Sequence, residues 1–135
     1  VLLLALDFAS YCMHRTLHTF EWPWKMHRLH HSSLELTILS SFRISWGEGI
    51  VTGIVFGIIS GIVLVPTPVY FYINFLFVFA CLIQHSNIKF RYPAFLGKIL
   101  ITPRNHLWHH SSELKHQHGQ NFGFVLVFWD KILKT

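Results

Sequence analysis

Acidic residues are scarce in this chain, which has 6 aspartates and glutamates among its 135 residues. The carboxylate-bridged metal sites of ferritin-like bundles need several glutamates and more than one Glu-x-x-His motif, a set that is absent here, so that type of site is excluded. Four carboxylates are plausible near a functional site, those of Asp7, Glu48, Glu113 and Asp130. We interpret Glu48 as a carboxylate at the start of a helix, where the helix dipole favours negative charge.

Cysteine is rarer still, with Cys12 and Cys81 each in apolar surroundings. They form no Cys-x-x-Cys pair, which excludes zinc-finger and dithiol redox motifs, and we expect two buried free thiols. The sequence contains no glycine-rich fingerprint for a flavin or a nicotinamide cofactor. The net charge is +5, but the lysines and arginines stand singly and form no patch that would bind nucleic acid.

Charge is missing altogether from two long hydrophobic runs, 49–65 and 68–84, in a chain that is 52% hydrophobic and 13% charged. Each run has about 17 residues, or roughly 26 Å as a helix, which is the short end of the range for crossing a bilayer. The segment 66–68 contains two prolines and predicts a tight turn. We predict a transmembrane hairpin, and the alternative is a buried hairpin in a water-soluble protein. Glycine at every fourth position of 49–61 predicts close helix packing.

Histidine is abundant, and nine of the 11 histidines fall into four clusters. Residues three and four apart lie on one face of a helix, so each cluster can aim its rings at one point. Imidazole is a common ligand of iron, zinc, copper and nickel. Nine rings exceed what one ion binds, so the pattern predicts a dinuclear, almost all-histidine metal site. The clusters are His14-x3-His18, His27-x2-His30-His31, His85 before Ser86-Asn87, and His106-x2-His109-His110.

Other interpretations of the histidines fit the sequence less well. His116 and His118 lie in a polar loop and are left out of the site. A structural zinc site would use about four ligands with cysteine prominent, and no cysteine fits. A metal transporter would place its ligands along the spans near the bilayer midplane, whereas residues 49–84 contain no histidine and no acidic residue. An all-histidine site beside a membrane instead suits a redox metal that meets a lipid-soluble substrate.

Basic residues flank the predicted hairpin and are absent from its turn. Two crossings return the chain to the side it left, so all four histidine clusters can meet on one side, and the positive-inside rule makes that side cytoplasmic. We therefore predict an all-α, multi-pass integral-membrane protein with a cytosolic helical cap that carries the histidines. Its membrane is the bacterial inner membrane or, in a eukaryote, the endoplasmic reticulum. We interpret 1–135 as one catalytic domain and as a fragment of a longer membrane protein.

The ordered motifs resemble the sterol desaturase/fatty acid hydroxylase superfamily of integral-membrane di-iron oxygenases. The third and fourth motifs are most similar to its bacterial branch. Each motif is weak by itself, but the ordered set extends across nearly the whole chain and is specific. The matching text is Asp7, then HRTLH (14–18), MHRLHHSS (26–33), QHSNIKF (84–90), TPRNHLWHHS (102–111) and NFGFVLVFWD (121–130).

The resemblance implies an enzyme that holds two iron ions, which zinc can replace in purified material. Such an enzyme uses O2 and electrons from a ferredoxin or cytochrome b5 type of donor to hydroxylate an unactivated C–H bond of a lipid, such as a fatty acyl chain or a sterol. A desaturase on the same scaffold is the alternative. No catalytic residue separate from the metal ligands is expected, and Asp7, Asn105, Asn121 and Asp130 are candidates for orienting the ligand rings from behind. The implied ligands are His14, His18, His27, His30, His31, His85, His106, His109 and His110.

Overall fold

A computed structural model describes residues 1–88, 92–111 and 120–135. These residues form helices, irregular segments and one isolated bridge between Leu100 and Leu126, so the predicted all-α class is confirmed for them. Three side chains named above, Glu113, His116 and His118, lie outside the described residues, as do Lys89 and Arg91. The α-helices are α1 Leu2–Thr19, α2 Glu21–His27, α3 Trp46–Ile62, α4 Thr67–His85, α5 Pro103–His109 and α6 Phe128–Leu133, and short 3-10 helices cover His30–Ser32, Ile38–Phe42 and Leu96–Lys98.

Local sequence sets the ends of the two long apolar helices. The Ser45 side chain accepts a hydrogen bond from the backbone of Glu48 and caps the start of α3. Helix α3 ends at Ile62, before the end of the uncharged run at residue 65. Leu64 follows with a left-handed φ of 52°. Pro66 then caps α4, whose first turn accommodates a proline because the first-turn N–H groups have no helical partner.

The hydrophobic core lies where α1, α3 and α4 meet. Leu6 of α1 is fully buried and packs with Phe56 of α3 and with Ile73 and Phe77 of α4. The rings of Phe56 and Phe77 meet edge to face, with centroids 5.4 Å apart. This contact joins the two long helices near their middles. The end of α4, at His85, and the start of α3 lie away from it.

Two expectations about packing are wrong. A Cβ atom added at Gly53, Gly57 or Gly61 would meet no atom within 4 Å, so the glycine face of α3 does not pack against another described helix. The reason is that α3 buries Phe56 and Ser60, which lie on a neighbouring face. The two thiols are not both buried either, because Cys81 is partly buried and Cys12 is exposed on the side of α1 that faces away from the core.

One described helix, α4, is long and apolar enough to cross a membrane by length and composition. Helix α3 is also apolar, but with 17 residues it is shorter. Much of the surface of α4 is not covered by this chain, since Phe71, Tyr72 and Phe75 are each more than 60% exposed. An uncovered apolar surface of this kind marks a site of contact with a membrane or with another protein.

Candidate metal centre

Four separate stretches of the chain bring the histidines together. His14 and His18 are one turn apart near the end of α1, and His27 is the last residue of α2. His85 is the last residue of α4, so the packing of this helix in the core fixes the position of the His85 ring. The HHS segment at 30–32, helix α5 and the C-cap residue His110 that follows it supply the remaining five rings.

The nine predicted ligands form two groups, and in each group one ligand atom per ring lies within 4.8 Å of all the others. The 30/31 pair and the 109/110 pair are each divided between the groups. The expectation that each cluster aims its rings at one point is therefore wrong for these two clusters, because neighbouring residues on a tight helical turn point in different directions. The first group is His14, His18, His27, His31 and His109, and the second group is His30, His85, His106 and His110.

The two groups are in direct contact. The rings of His31 and His110 stack with centroids 4.1 Å apart and an interplanar angle of 18°, although they belong to different groups. His30 of the second group also lies against His27 of the first, at 5.1 Å. Rings this close place the two groups side by side, as a dinuclear site requires.

The first group has buried ring nitrogens of the kind that a metal ion can bind. The Nε2 atoms of all five rings are buried and have no hydrogen-bond partner. A buried polar atom without a partner costs about 1–3 kcal/mol, so five in one place would be a heavy penalty in a site with no ligand. Five lone pairs directed at one point fit a metal ion.

The second group shows the same convergence through short contacts between nitrogens. The His85 Nε2 lies 3.0 Å from the Nε2 of His30 and 3.0 Å from that of His106, and His106 Nε2 is 3.1 Å from that of His110. The His85 Nδ1–H donates to the Cys81 carbonyl and leaves one lone pair on Nε2. That lone pair can accept one N–H, so hydrogen bonds alone do not explain its contacts with two rings. Four ring nitrogens that converge this closely are placed where they could all bind one ion. The second group therefore also fits a metal ion.

Hydrogen bonds from behind hold four of the nine rings. The Nδ1–H groups of His14 and His109 donate to the carbonyls of Phe122, at 3.0 Å, and Gln120, at 2.9 Å. His85 donates to the Cys81 carbonyl at 2.8 Å. Each bond fixes the tautomer that leaves the Nε2 lone pair facing the group, which is the arrangement seen in metal-bound histidines.

The fourth ring held in this way is that of His27, whose Nδ1–H donates to Oε1 of Glu48 at 2.8 Å. Glu48 does stand in the first turn of α3, as the sequence indicates, but it also contacts a candidate ligand. Sequence reasoning missed this second role because the helix-start interpretation already explained the carboxylate. The backbone carbonyls of Gln120, Phe122 and Cys81 carry no side-chain signal by which they could be found.

Burial favours the neutral form of His30 and His109. Burial, with a further contribution from nearby His27, lowers the pKa of His30 to about 2. Burial likewise lowers the pKa of His109 to about 4, against the opposing hydrogen bond to Gln120. Histidines that are neutral near pH 7 can bind a metal without first releasing a proton.

Three of the four residues proposed to orient the rings, Asp7, Asn105 and Asp130, hydrogen-bond groups other than the rings. Asp7 is fully buried and accepts hydrogen bonds from the Val125 backbone and the Trp129 indole, both at 2.8 Å. It therefore joins α1 to the C-terminal segment. Asn105 completes a capping box with Thr102 at the start of α5, the helix that carries His106 and His109 and is followed directly by His110.

Asp130 and Asn121 shape the segment whose carbonyls hold His14 and His109. The Asp130 carboxylate accepts from the backbone N–H groups of Phe122, at 2.7 Å, and Gly123, at 2.8 Å. Asn121 has a φ of 60°, the left-handed conformation that asparagine tolerates better than most residues. These two residues can thus act on the rings through the backbone of 120–123.

A cavity of about 90 Å³ lies beside both groups. Five of the nine rings form part of its lining, and Met13, Leu17, Ile44 and Phe124 contribute apolar side chains. The space is about that of three water molecules. An apolar space that faces both groups can hold a hydrocarbon segment against them. The five rings are His14 and His27 of the first group and His30, His85 and His106 of the second.

The chain belongs to the fatty acid hydroxylase family, whose family model matches residues 1–135. This match confirms the resemblance to the sterol desaturase/fatty acid hydroxylase superfamily that the ordered histidine motifs carry.

Its relatives include enzymes named for lipid oxidation. Ornithine lipid hydroxylase OlsE of Rhizobium tropici is 34% identical over 133 residues, which are 98% of this chain and 40% of the relative. Alkylglycerol monooxygenase of Homo sapiens is 30% identical over 132 residues, which are 98% of this chain and 29% of the relative. The chain thus spans well under half the length of these relatives. No solved structure matches it significantly.

Proposed function

We propose that this chain is the catalytic domain of a membrane-bound di-iron oxygenase that uses O2 and external electrons to hydroxylate an unactivated C–H bond of a lipid. The observation that carries the proposal is the pair of histidine groups beside one apolar cavity. The names of the relatives support a lipid substrate and favour hydroxylation over desaturation, since they include a lipid hydroxylase and an alkylglycerol monooxygenase.

The donor set fits iron. Nine neutral imidazoles with buried, unpaired or converging Nε2 atoms can hold two ions, one in each group. Imidazole suits iron as well as zinc, so zinc can take the same places in purified material. When bound, the two irons would supply the redox chemistry that activates O2.

The chain's own residues determine where that chemistry acts. Met13, Leu17 and Phe124 give the cavity a hydrocarbon surface against which a short segment of a lipid chain can lie. The carbonyls behind His14, His85 and His109 keep the Nε2 atoms in place, so the reacting C–H bond is held against a fixed centre.

We propose further that α3 and α4 lie in the bilayer as a hairpin, with the histidines on the cytoplasmic side. The support is the exposed apolar surface of both helices, which no described segment covers, and which includes Ile54 and Ile58 of α3 and Phe71 and Phe75 of α4. Both clusters before α3 and both after α4 then lie at one end of the hairpin. A substrate dissolved in the membrane would reach the cavity without crossing water.

The remaining parts of the proposal concern the whole protein. Residues 1–135 form one domain of a longer membrane protein, which agrees with the share of the relatives that the chain covers. Electrons come from a ferredoxin or cytochrome b5 type of partner, and no nucleic acid is involved.

Metal analysis of the full-length membrane protein, purified without oxygen, tests the proposal. We expect two irons per chain and a di-iron spectrum that changes on exposure to O2, and such a preparation should oxidise lipid when electrons are supplied. One zinc per chain, or no metal, in protein prepared from iron-replete and active cells would contradict the proposal and favour a non-redox metal-binding protein.

A further inference from the structure

Glu48 is the one charged side chain that hydrogen-bonds a ring of the two groups, among the residues that the structure describes. Its Oε1 accepts from His27 at 2.8 Å. The other rings held from behind, those of His14, His85 and His109, donate to neutral backbone carbonyls. Since His27 belongs to the first group, the first group alone has a ring hydrogen-bonded to a carboxylate, among the described residues.

The surroundings of Glu48 keep its carboxylate buried beside the two groups. The residue is 8% exposed, and its Oε2 atom is buried without a hydrogen-bond partner. Its position in the first turn of α3 favours a negative charge, because the helix dipole places partial positive charge at the start of a helix. Glu48 also lines the cavity beside both groups, so a strong interaction with a nearby positive charge would offset the cost of burying the carboxylate.

A metal ion is such a charge. Two divalent ions among nine neutral imidazoles would bring positive charge into a buried site, where electrostatic interactions are stronger than in water. A carboxylate hydrogen-bonded to a ligand ring fixes the orientation of the ring and makes it a more basic ligand. These effects reach most strongly the ion that His27 itself would bind.

We propose that Glu48 is a positioning residue that makes the first group the tighter of the two metal positions. It holds His27 in the tautomer whose Nε2 lone pair faces the group, and its charge offsets that of the ion held there. The inference rests on the proposed function, because it requires both groups to hold an ion. It differs from that function in predicting that the two positions are unequal and that one side chain makes them so.

The experiment is a titration of the metal-free, full-length protein in detergent with Co²⁺, in competition with a chelator of known affinity. Glu48→Gln keeps the shape of the side chain and an oxygen that can accept from His27, but it removes the charge. Glu48→Ala removes both. Glu21→Gln is the matched control, because it makes the same change of charge at a side chain that is 85% exposed. His18→Ala identifies the binding step that belongs to the first group.

We expect wild-type protein to bind two Co²⁺ ions in two steps, the tighter of which His18→Ala weakens. Glu48→Gln should weaken that step by about 10- to 100-fold and leave the other step in place, as loss of a partner behind a metal ligand does elsewhere. Glu48→Ala should weaken it at least as much. The absorption bands of the first bound Co²⁺ should shift in Glu48→Gln and stay unchanged in Glu21→Gln.

Wild-type affinities in Glu48→Gln would overturn the role of the charge, and equal weakening of both steps would overturn its selectivity for the first group. Binding of fewer than two ions by the wild-type protein would instead contradict the proposed function. Circular dichroism checks that each variant is folded. If Glu48→Ala does not fold, the isosteric Glu48→Gln decides the question.

Discussion

At the scale of single residues, the site depends on side chains that touch no ligand. Asp130 binds the backbone of Phe122 and Gly123, and the carbonyl of Phe122 in turn accepts from His14. The carboxylate therefore stands two steps behind the candidate metal centre. Asp7 is an equally buried carboxylate, but its partners are Val125 and Trp129, which hold no ring.

This difference predicts different effects of one substitution at the two aspartates. Asp130→Asn puts an amide N–H against a backbone N–H, and we expect it to cost about 2–3 kcal/mol of stability and to weaken metal binding. Asp7→Asn should cost a similar amount of stability and leave the metal affinity near that of the wild type. Thermal unfolding and Co²⁺ titration of both variants measure this. Equal loss of metal affinity in the two variants would show that the 120–123 segment does not transmit the effect.

The residue scale also shows what sequence reasoning can and cannot reach. All nine histidines proposed from the motifs lie in the two groups. They could be found because histidines three and four residues apart are visible in the sequence as clusters. The partner of His27 could not be chosen the same way, since Glu48 is 21 residues away. The division of His30 from His31 depends on a 3-10 turn, whose geometry a helical spacing rule does not describe.

At the scale of elements, glycine has two different meanings in this chain. A Cβ atom at Gly57 would meet open space, whereas one at Gly123 would lie 2.5 Å from the Leu126 carbonyl oxygen and 2.6 Å from Asp130. The sequence pattern of α3 is regular and attracts attention, yet the isolated Gly123 is the one that permits a close approach of backbone. Periodicity cannot report a contact made with a distant segment.

We therefore expect Gly57→Leu to leave the stability unchanged or to raise it by up to about 1 kcal/mol, because leucine is the better helix former. Gly123→Ala should destabilise the protein by about 1–3 kcal/mol through the clash with backbone. Thermal unfolding in detergent compares the two variants. A marked loss of stability in Gly57→Leu would show that the glycine face packs against a helix after all.

At the scale of the whole molecule, the two long apolar helices were predictable in outline. The uncharged runs and the proline pair indicate two apolar helices, and the structure has α3 and α4 in those places. Their contact through Phe56 and Phe77, rather than through the glycine face, was not predictable, because many aromatic side chains in each run could have served. Which apolar side chains stay exposed is likewise a property of packing and not of composition.

A whole-molecule property that follows from the buried rings is the pH dependence of the metal-free protein. The pKa values of His30 and His109 fall to about 2 and about 4 in the folded state, against 6.5 for an ordinary histidine. Below pH 6.5 the unfolded chain takes up protons that the folded chain does not, so stability falls as the pH is lowered, by up to about 1.4 kcal/mol per pH unit for each such ring.

Thermal unfolding in detergent with a metal chelator, at pH values from 8 down to 5, measures this effect. We expect the unfolding temperature to be level above pH 7 and to fall below pH 6.5. Burial raises the pKa of Asp7 and that of Asp130, which acts in the opposite direction, but these are two carboxyls against several rings. An unfolding temperature that stays level or rises towards pH 5 would contradict the neutral, buried state of the histidines.

The division of the histidines between two groups also sets an order during synthesis. His14, His18, His27 and His31 precede α3, so four of the five rings of the first group emerge from the ribosome before the hairpin does. The second group has only His30 at that stage and gains its other three rings at and beyond the end of α4. The first position can therefore begin to assemble on the nascent chain, whereas the second cannot exist until the hairpin has been made.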